Sequence, residues 1–288
     1  MTELIPKIDL HIHTTVSDGT DAPEEIPALA KAAGLAWFSV TDHDAIAGSK
    51  RILAARKDGE PAFVPGIEFS CKDEEGQYHI LGYGYDPDAE AIAAVVRLGH
   101  GFRMKKLLER LAFIRDRFGF VFSEEEVDTL LSMDNPGKPH IANLMVSHGY
   151  AKDRNEAIRG YLNQAHFTEE YVQPQIAIMG IRESGGIPVL AHPPYGNGDQ
   201  LILGEALDRR VRRLKDFGLL GVEAFYSGYT GKLRGEVLSL AEKYDLYVTA
   251  GSDYHGTNKF ITLGDIGLNK PVRIPAGLSA FLQAIDSK

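Results

Sequence analysis

The chain has 288 residues, 44% hydrophobic and 25% charged, with a formal net charge of -9: an ordinary globular composition, long enough for one large domain or a domain with an inserted lobe. Its one cysteine, Cys71, excludes a disulfide framework and cysteine-rich zinc modules, and is expected as a packed free thiol in a cytoplasmic protein. The acidic balance argues against broad binding to nucleic acid or anionic membrane. No run of 18 apolar residues occurs, and the segment from Met1 to Lys7 lacks a secretory apolar region.

Strand and helix are expected to alternate through the first part of the chain, with strands over 8–11, 37–41, 63–69 and 80–83. The spacing predicts a helix over 23–33, where Pro23 suits the first turn, Glu24 and Glu25 the positive dipole end, and Gly34 the stop. A second helix is expected over 47–56. The middle, 92–177, carries helical spacing instead. Leu107, Leu111, Ile114 and Phe118 share one amphipathic face, and Ser123-Glu124-Glu125-Glu126 has the form of a capping box. The first rhythm then returns, with strands over 187–191, 221–225, 247–251 and 261–266 and helices over 207–217, 232–243 and 276–285. Such alternation favours a mainly parallel sheet with helices outside. The expected organisation is a barrel-like α/β domain, 1–91 and 178–288, with 92–177 inserted as a helical lobe.

Metal-ligating residue types recur where these apolar runs end. His11 and His13 close the first strand as His-x-His, which sets both imidazoles on one face because strand side chains alternate. His43 closes the second strand, Glu68 the third and His192 the run Pro188-Val189-Leu190-Ala191, while Asp253 and His255 follow 247–251. Asp18 lies in the first loop. His79 departs from the pattern by preceding Ile80-Leu81-Gly82, so that strand either runs against its neighbours or is locally irregular. In a barrel of parallel strands one rim gathers such side chains, however distant in sequence. Nine ligands exceed what one zinc takes, and two or three divalent ions are expected; mixed carboxylate and imidazole suits manganese, zinc or iron without choosing among them. Such ions ionise water near neutral pH, and a glutamate shared between two of them could fix a bridging hydroxide as nucleophile. The chain has neither a P-loop nor a GxSxG elbow. The competing reading, core or surface histidines without metal, fits a lone His-x-His but not the whole constellation.

The segments IDLHIHTTVSDGT, TDHD, PGIEFS, HILGYG, LAHP, GVEAF and AGSDYHG, in this order, resemble the PHP (polymerase and histidinol phosphatase) family of metal-dependent phosphoesterases, over about 8–85 and 187–268. The resemblance implies a distorted seven-stranded (βα) TIM-like barrel with a trinuclear site. It implies one metal on His11, His13, Glu68 and Asp253, a second on Glu68, His79 and His192, and a third on Asp18, His43 and His255. Asp18 stands where some relatives have histidine. The segment Lys138-Pro139-His140 resembles the subgroup acting on nucleotides and other small phosphate esters, with Lys138 and His140 gripping phosphate.

Hydrolysis of a small phosphate ester, nucleotides foremost, is therefore expected. Glu68 would fix the nucleophile, and His255, Asp253 and His140 are candidates for the acid on the leaving oxygen. Tyr195 could stack on a base or hydrogen-bond the substrate. No membrane partner and no stable nucleic-acid complex are expected. Alternatives are a phosphodiesterase or 5′–3′ exonuclease on cyclic phosphates or short RNA, and an amidohydrolase-type C–N hydrolase, whose usual carbamylated lysine has no obvious counterpart. A non-catalytic metal-stabilised scaffold is a further one. Arg209, Arg210, Arg212 and Arg213 are expected on a solvated helix face, Asp42 and Asp44 beside the ligands, and His100, His148 and His166 in structural or exposed places.

Overall fold

The computed structural model describes residues 3–166, 170–196 and 201–287; Met1 and Thr2 of the expected non-secretory start and 167–169 of the expected insertion lie outside the described residues. Strands β1 (Ile8–Ile12), β2 (Trp37–Val40) and β3 (Ala62–Phe63) form a parallel sheet, linked by helices α1 (Ile26–Ala32) and α2 (Ala47–Ala55). A 3-10 turn over Pro23–Glu25 opens α1, and Gly34 at φ 72° ends the element. Phe38, Val40, Ile26, Ile52 and Phe63 pack together beside this sheet.

The expected strand over 63–69 is two strands. Pro65 has no N–H to continue a ladder, and after it the chain enters a second sheet as β4 (Gly66–Asp73). β4 turns directly into β5 (Gly76–Tyr83), with the Asp73 carboxylate accepting the Glu75 N–H at 2.9 Å in the turn. β5 is antiparallel to both β4 and β6 (Ile187–Leu190), so the expectation of a mainly parallel sheet holds only for the rest. β6, β7 (Gly221–Tyr226) and β8 (Tyr247–Gly251) pair in parallel, with α7 (Gly204–Asp216) and α8 (Gly231–Tyr244) as crossovers.

A closed barrel is not formed among the described residues. The three- and five-stranded sheets meet instead through isolated bridges, Ile12 with Tyr254 and His43 with Glu68. At the first seam the Asp253 N–H reaches His11 O at 2.9 Å, and at the second the Asp44 N–H reaches Glu68 O at 2.9 Å. Both seams run through ligand candidates. The expected strand over 261–266 is absent, because the Gly264 N–H goes to the buried Asp9 carboxylate at 2.7 Å rather than to a ladder. The closing helix α9 (Ala276–Asp286) is present.

Between β5 and β6 run α3 (Glu90–Phe118), α4 (Glu124–Leu131), α5 (Lys138–Ser147) and α6 (Pro174–Glu183). Ile92 and Val95 of α3 join the main core with α6, whereas Leu107, Leu111, Ile114 and Phe118 join α4 and α5 in a separate apolar cluster. The capping box forms: the Glu126 carboxylate accepts the Ser123 N–H at 2.8 Å, and Ser123 Oγ accepts the Glu126 N–H at 3.2 Å. The arginine run of α7 is not one solvated face. Arg210 is buried over the Tyr78 ring at 3.9 Å and Arg213 pairs with Asp73 at 2.7 Å, while Arg209 and Arg212 are exposed. Cys71 is buried and free, and burial pushes its thiol well above the usual value.

Candidate metal centre

The nine expected ligands meet in one place, around the Glu68 carboxylate. Its Oε2 lies 3.3 Å from His11 Nε2, 3.2 Å from His13 Nε2 and 3.1 Å from His43 Nδ1. Its Oε1 lies 2.9 Å from His79 Nδ1 and 3.4 Å from His192 Nε2. Each oxygen therefore faces a different set of imidazoles. Asp253 Oδ1 stands 3.6 Å from His11 Nε2, 3.4 Å from His13 Nε2 and 3.4 Å from His255 Nδ1, and Asp18 Oδ1 stands 3.2 Å from His255 Nε2.

Local structure explains the convergence. His11 and His13 share a strand face, with ring centroids 5.2 Å apart. His79 is reconciled by the hairpin: Ser70, two residues from Glu68 and on its face, is the cross-strand partner of His79. Strand reversal thus returns a residue from the middle of β5 to the rim where β4 carries Glu68. Among the described residues four non-glycines have positive φ, and three belong here: Asp44 at 49°, His192 at 27° and Asp253 at 60°. Such backbone costs roughly 1–3 kcal/mol per residue and persists where surrounding contacts hold it.

The donor set fits divalent cations. His11 Nε2, His13 Nε2, His43 Nδ1, His79 Nδ1, Asp18 Oδ1 and both Glu68 oxygens are buried without a hydrogen bond, while His192 turns Nε2 toward Glu68 and enters none of the groups below. Each orphaned group would cost roughly 1–3 kcal/mol, so their convergence is accounted for by a ligand that accepts lone pairs. Three groups have ligand atoms within 4.8 Å of one another: His13, Asp18, His43 and His255; His11, His13 and Asp253; His43, Glu68 and His79. His13 and His43 each enter two groups, which differs from the partition the resemblance implies. Burial alone would raise Glu68, but the imidazoles, His79 foremost, hold its carboxyl well below the usual range. Burial opposes the charged form of His13, yet Asp253 and Glu68 bring it up to about 9.

Supporting groups surround the ligands, several of them unforeseen from sequence. Glu223, fully buried on β7, accepts from His11 Nδ1 at 2.9 Å and from the His192 N–H at 2.9 Å. Its signal was a lone acid inside the apolar run Gly-Val-Glu-Ala-Phe. Asp253 Oδ2 accepts from the Tyr226 hydroxyl at 2.9 Å and Lys259 Nζ at 2.7 Å, which leaves Oδ1 toward the histidines. Asp42 accepts from the Ser17 hydroxyl at 2.7 Å and the Thr14 N–H at 2.8 Å, and Asp44 accepts from Arg103 Nε at 2.7 Å. His100 and His148 hydrogen-bond within the helical part, and His166 is exposed.

Two cavities open onto the centre, and both are lined by His43 and His79. The first, about 280 Å³, is walled by Asp18, Arg103, Lys106, Arg110, Asn135, Lys138, His140 and Tyr171. The second, about 300 Å³, is walled by Glu68, His192, Tyr195, Tyr226, Asp253 and Lys259. A larger groove of about 800 Å³ runs between α8 and α9, lined by none of the expected ligands. His140 Nδ1 accepts the Gly137 N–H at 3.1 Å, so in the neutral ring the proton is on Nε2. The Tyr195 hydroxyl is committed to Gly228 O at 2.9 Å, which leaves its ring, not its hydroxyl, for a substrate.

A model of the PHP domain matches residues 9–212. The chain belongs to the PHP domain family. It is 29% identical over 263 residues to a 5′-3′ exoribonuclease of Haemophilus influenzae, covering 90% of this chain and 93% of that one. It is 31% identical to a phosphoribosyl 1,2-cyclic phosphate 1,2-diphosphodiesterase of Eggerthella lenta, covering 91% and 98% of the two chains. Identity to a 3′,5′-nucleoside bisphosphate phosphatase of Chromobacterium violaceum is 28%, covering 86% and 87%. A solved structure from Bifidobacterium adolescentis, provisionally assigned as a metal-dependent phosphoesterase, superposes with a TM-score of 0.79 at 25% identity, over 96% of each chain. The chain is a metal-dependent phosphoric ester hydrolase. No helix among the described residues is long and apolar enough to cross a membrane.

Proposed function

We propose that this PHP domain hydrolyses phosphate esters of ribose-containing small molecules, nucleotides foremost, whose substrates carry a second anionic group. The supporting observation is the pair of cavities sharing His43 and His79, one of them walled by Arg103, Lys106, Arg110 and Lys138. A scissile phosphoryl group over the shared histidines would leave a second phosphate in the cationic cavity and the organic part against Tyr195 and Tyr226. The named substrates of the Eggerthella and Chromobacterium relatives contain two phosphate groups, which agrees with that division.

Two or three divalent ions, manganese, zinc or iron, would be held by His11, His13, Asp18, His43, Glu68, His79, His192, Asp253 and His255. When bound they would polarise phosphoryl oxygens and ionise a water at neutral pH. Glu68 then presents one oxygen to each side of the centre, and Glu223 fixes the ring of His11. His255 Nδ1 is engaged by Asp253 O at 2.9 Å, which turns its Nε2 toward Asp18 and makes it a ligand rather than an acid. His140, with its proton on Nε2, is the stronger candidate for donating to the phosphate or the leaving oxygen. Lys138 and the arginines offset the charge of the second phosphate.

The fold reading that goes with this function is a distorted barrel whose seams are held at Ile12–Tyr254 and His43–Glu68, with 92–177 as an inserted cap. The test is a comparison of the manganese-loaded protein on a nucleoside 3′,5′-bisphosphate, the matching mononucleotide and a short 5′-phosphorylated RNA. A clear preference for the bisphosphate over the mononucleotide is expected. Equal rates on those two would remove the second-anion reading. Stepwise 5′ shortening of RNA at the fastest rate would favour the exonuclease reading that the Haemophilus relative suggests.

A further inference from the structure

The helical cluster touches the metal centre at two of its loops, and both carry ligands of the same group. His43 follows β2; its carbonyl accepts the side-chain amide of Asn135, a buried residue between α4 and α5, at 2.5 Å. The next residue, Asp44, is held in its left-handed conformation by Arg103 of α3, whose Nε donates to Asp44 Oδ2 at 2.7 Å and whose Nη2 donates to Ser70 Oγ at 3.1 Å. His100 of α3 bonds Asp134 O at 3.0 Å and so ties the Asn135 segment to the same helix. On the other side Arg154 donates to Asn258 Oδ1 at 2.7 Å, and Asn258 donates to Asp18 O at 2.7 Å. His11, His192 and Asp253 take their supports from Glu223, Tyr226 and Lys259, all outside the helical part.

We propose that Asn135, Arg103 and the Arg154–Asn258 relay are positioning residues for one cation in particular, the one that His13, Asp18, His43 and His255 would share. Two of its four ligands stand on loops whose backbone is pinned by the helical cluster. Docking of the cluster therefore favours binding of that ion, and by linkage the ion favours docking of the cluster by the same factor. Closure over the anion cavity and completion of the metal centre become one event. The inference rests on the metal reading above and adds an unequal dependence of the ions on the cluster.

The experiment counts manganese ions retained by chelator-stripped, reloaded protein at stepped free Mn²⁺. Wild type is compared with Arg154→Ala, Asn135→Ala, Arg154→Lys and, as a marker for that site, Asp18→Ala. In Arg154→Ala and Asn135→Ala the ion that Asp18→Ala loses should need about tenfold more free Mn²⁺, with the ion at His11 and Asp253 unmoved, and Arg154→Lys should recover part of the loss. In wild type, amide exchange around Asn135 should slow as that ion loads; in Arg154→Ala the slowing should follow the same displaced Mn²⁺ range. Unchanged uptake in both alanine variants, or equal weakening of every ion, would overturn the proposal. If wild type takes up no Mn²⁺, the metal reading falls first and this inference with it.

Discussion

Glu223 and His11 face each other in the interior, Oε1 to Nδ1 at 2.9 Å, both fully buried. The second oxygen of the same carboxylate accepts the backbone N–H of His192, so one acid orients the ring of one ligand and the main chain of another. Hydrogen bonds of this kind fix the tautomer that leaves the outer nitrogen free for a cation. Glu223→Ala is expected to weaken metal binding about 10–100-fold while the protein stays folded. Metal titration monitored by calorimetry checks this; unchanged affinity would show that the pair does not support ligation.

Close packing around that pair has a stability consequence at Gly251, at the end of β8. A Cβ there would stand 2.2 Å from His11 Cβ and 2.8 Å from Glu223 Oε1. Neither neighbour is a flexible tip, so Gly251→Ala should cost on the order of 1–3 kcal/mol and displace His11. A fall in the urea midpoint together with poorer metal retention is the expected outcome.

Glu68 contacts five imidazoles, and His192 faces its Oε1. Glu68→Ala and His192→Ala should each lower turnover by at least ~10²–10³-fold, comparable to losing a major electrostatic contact in other enzymes. Far-UV dichroism should stay unchanged. Chelation should abolish activity and added Mn²⁺ restore it; near-normal rates in either variant would refute the ligand assignment.

The buried histidines by themselves would give the metal-free protein a stability maximum near pH 6.5, which Asp9, its carboxyl lifted to about 6 by burial, draws toward lower pH. Burial pushes His43 and His255 below their usual value, so stability rises with pH as these rings are relieved of charge. His11 and His13 go the other way, against burial, because Glu223, Glu68 and Asp253 favour their charged forms, with His13 brought to about 9. Their contribution is fully present below pH 6.5 and is lost as pH rises through the folded value. Urea midpoints in chelator across pH 5–10 would show the maximum; a monotonic rise above pH 6.5 would contradict the assignment.

The convergence of the candidate ligands was legible because most of them stood in a short motif beside an apolar run. His79 was legible only as a residue type: its place depends on β5 reversing against β4, and pairing direction leaves little trace in a run such as Ile80-Leu81-Gly82. The continuous strand over 63–69 failed at Pro65, where the sheets part, and the strand over 261–266 failed because Asp9, distant in sequence, captures the Gly264 N–H. Glu223, Lys259, Asn135 and Arg103 went unseen for a shared reason. They act through other side chains or backbone groups, so their roles depend on partners distant in sequence; only Glu223 stood in a recognisable segment, Gly-Val-Glu-Ala-Phe.

Lys138 and Arg110 distinguish the cationic cavity from a merely charged surface. Lys138 opens α5 with its ammonium 2.9 Å from Asn163 Oδ1, while Arg110 is only 7% exposed, so both hold defined positions on the cavity wall. Neither is among the groups that converge on Glu68. Removing one should therefore weaken grip on a second phosphate without altering the attack at the first. For a nucleoside bisphosphate, Lys138→Ala and Arg110→Ala are expected to raise KM roughly tenfold with kcat within about twofold, and to flatten the dependence of kcat/KM on salt. For the corresponding mononucleotide, KM should scarcely move. Steady-state kinetics on both substrates at two ionic strengths decide the matter: a fall in kcat alone would place these residues in the chemical step, and equal effects on both substrates would place them at the scissile phosphate.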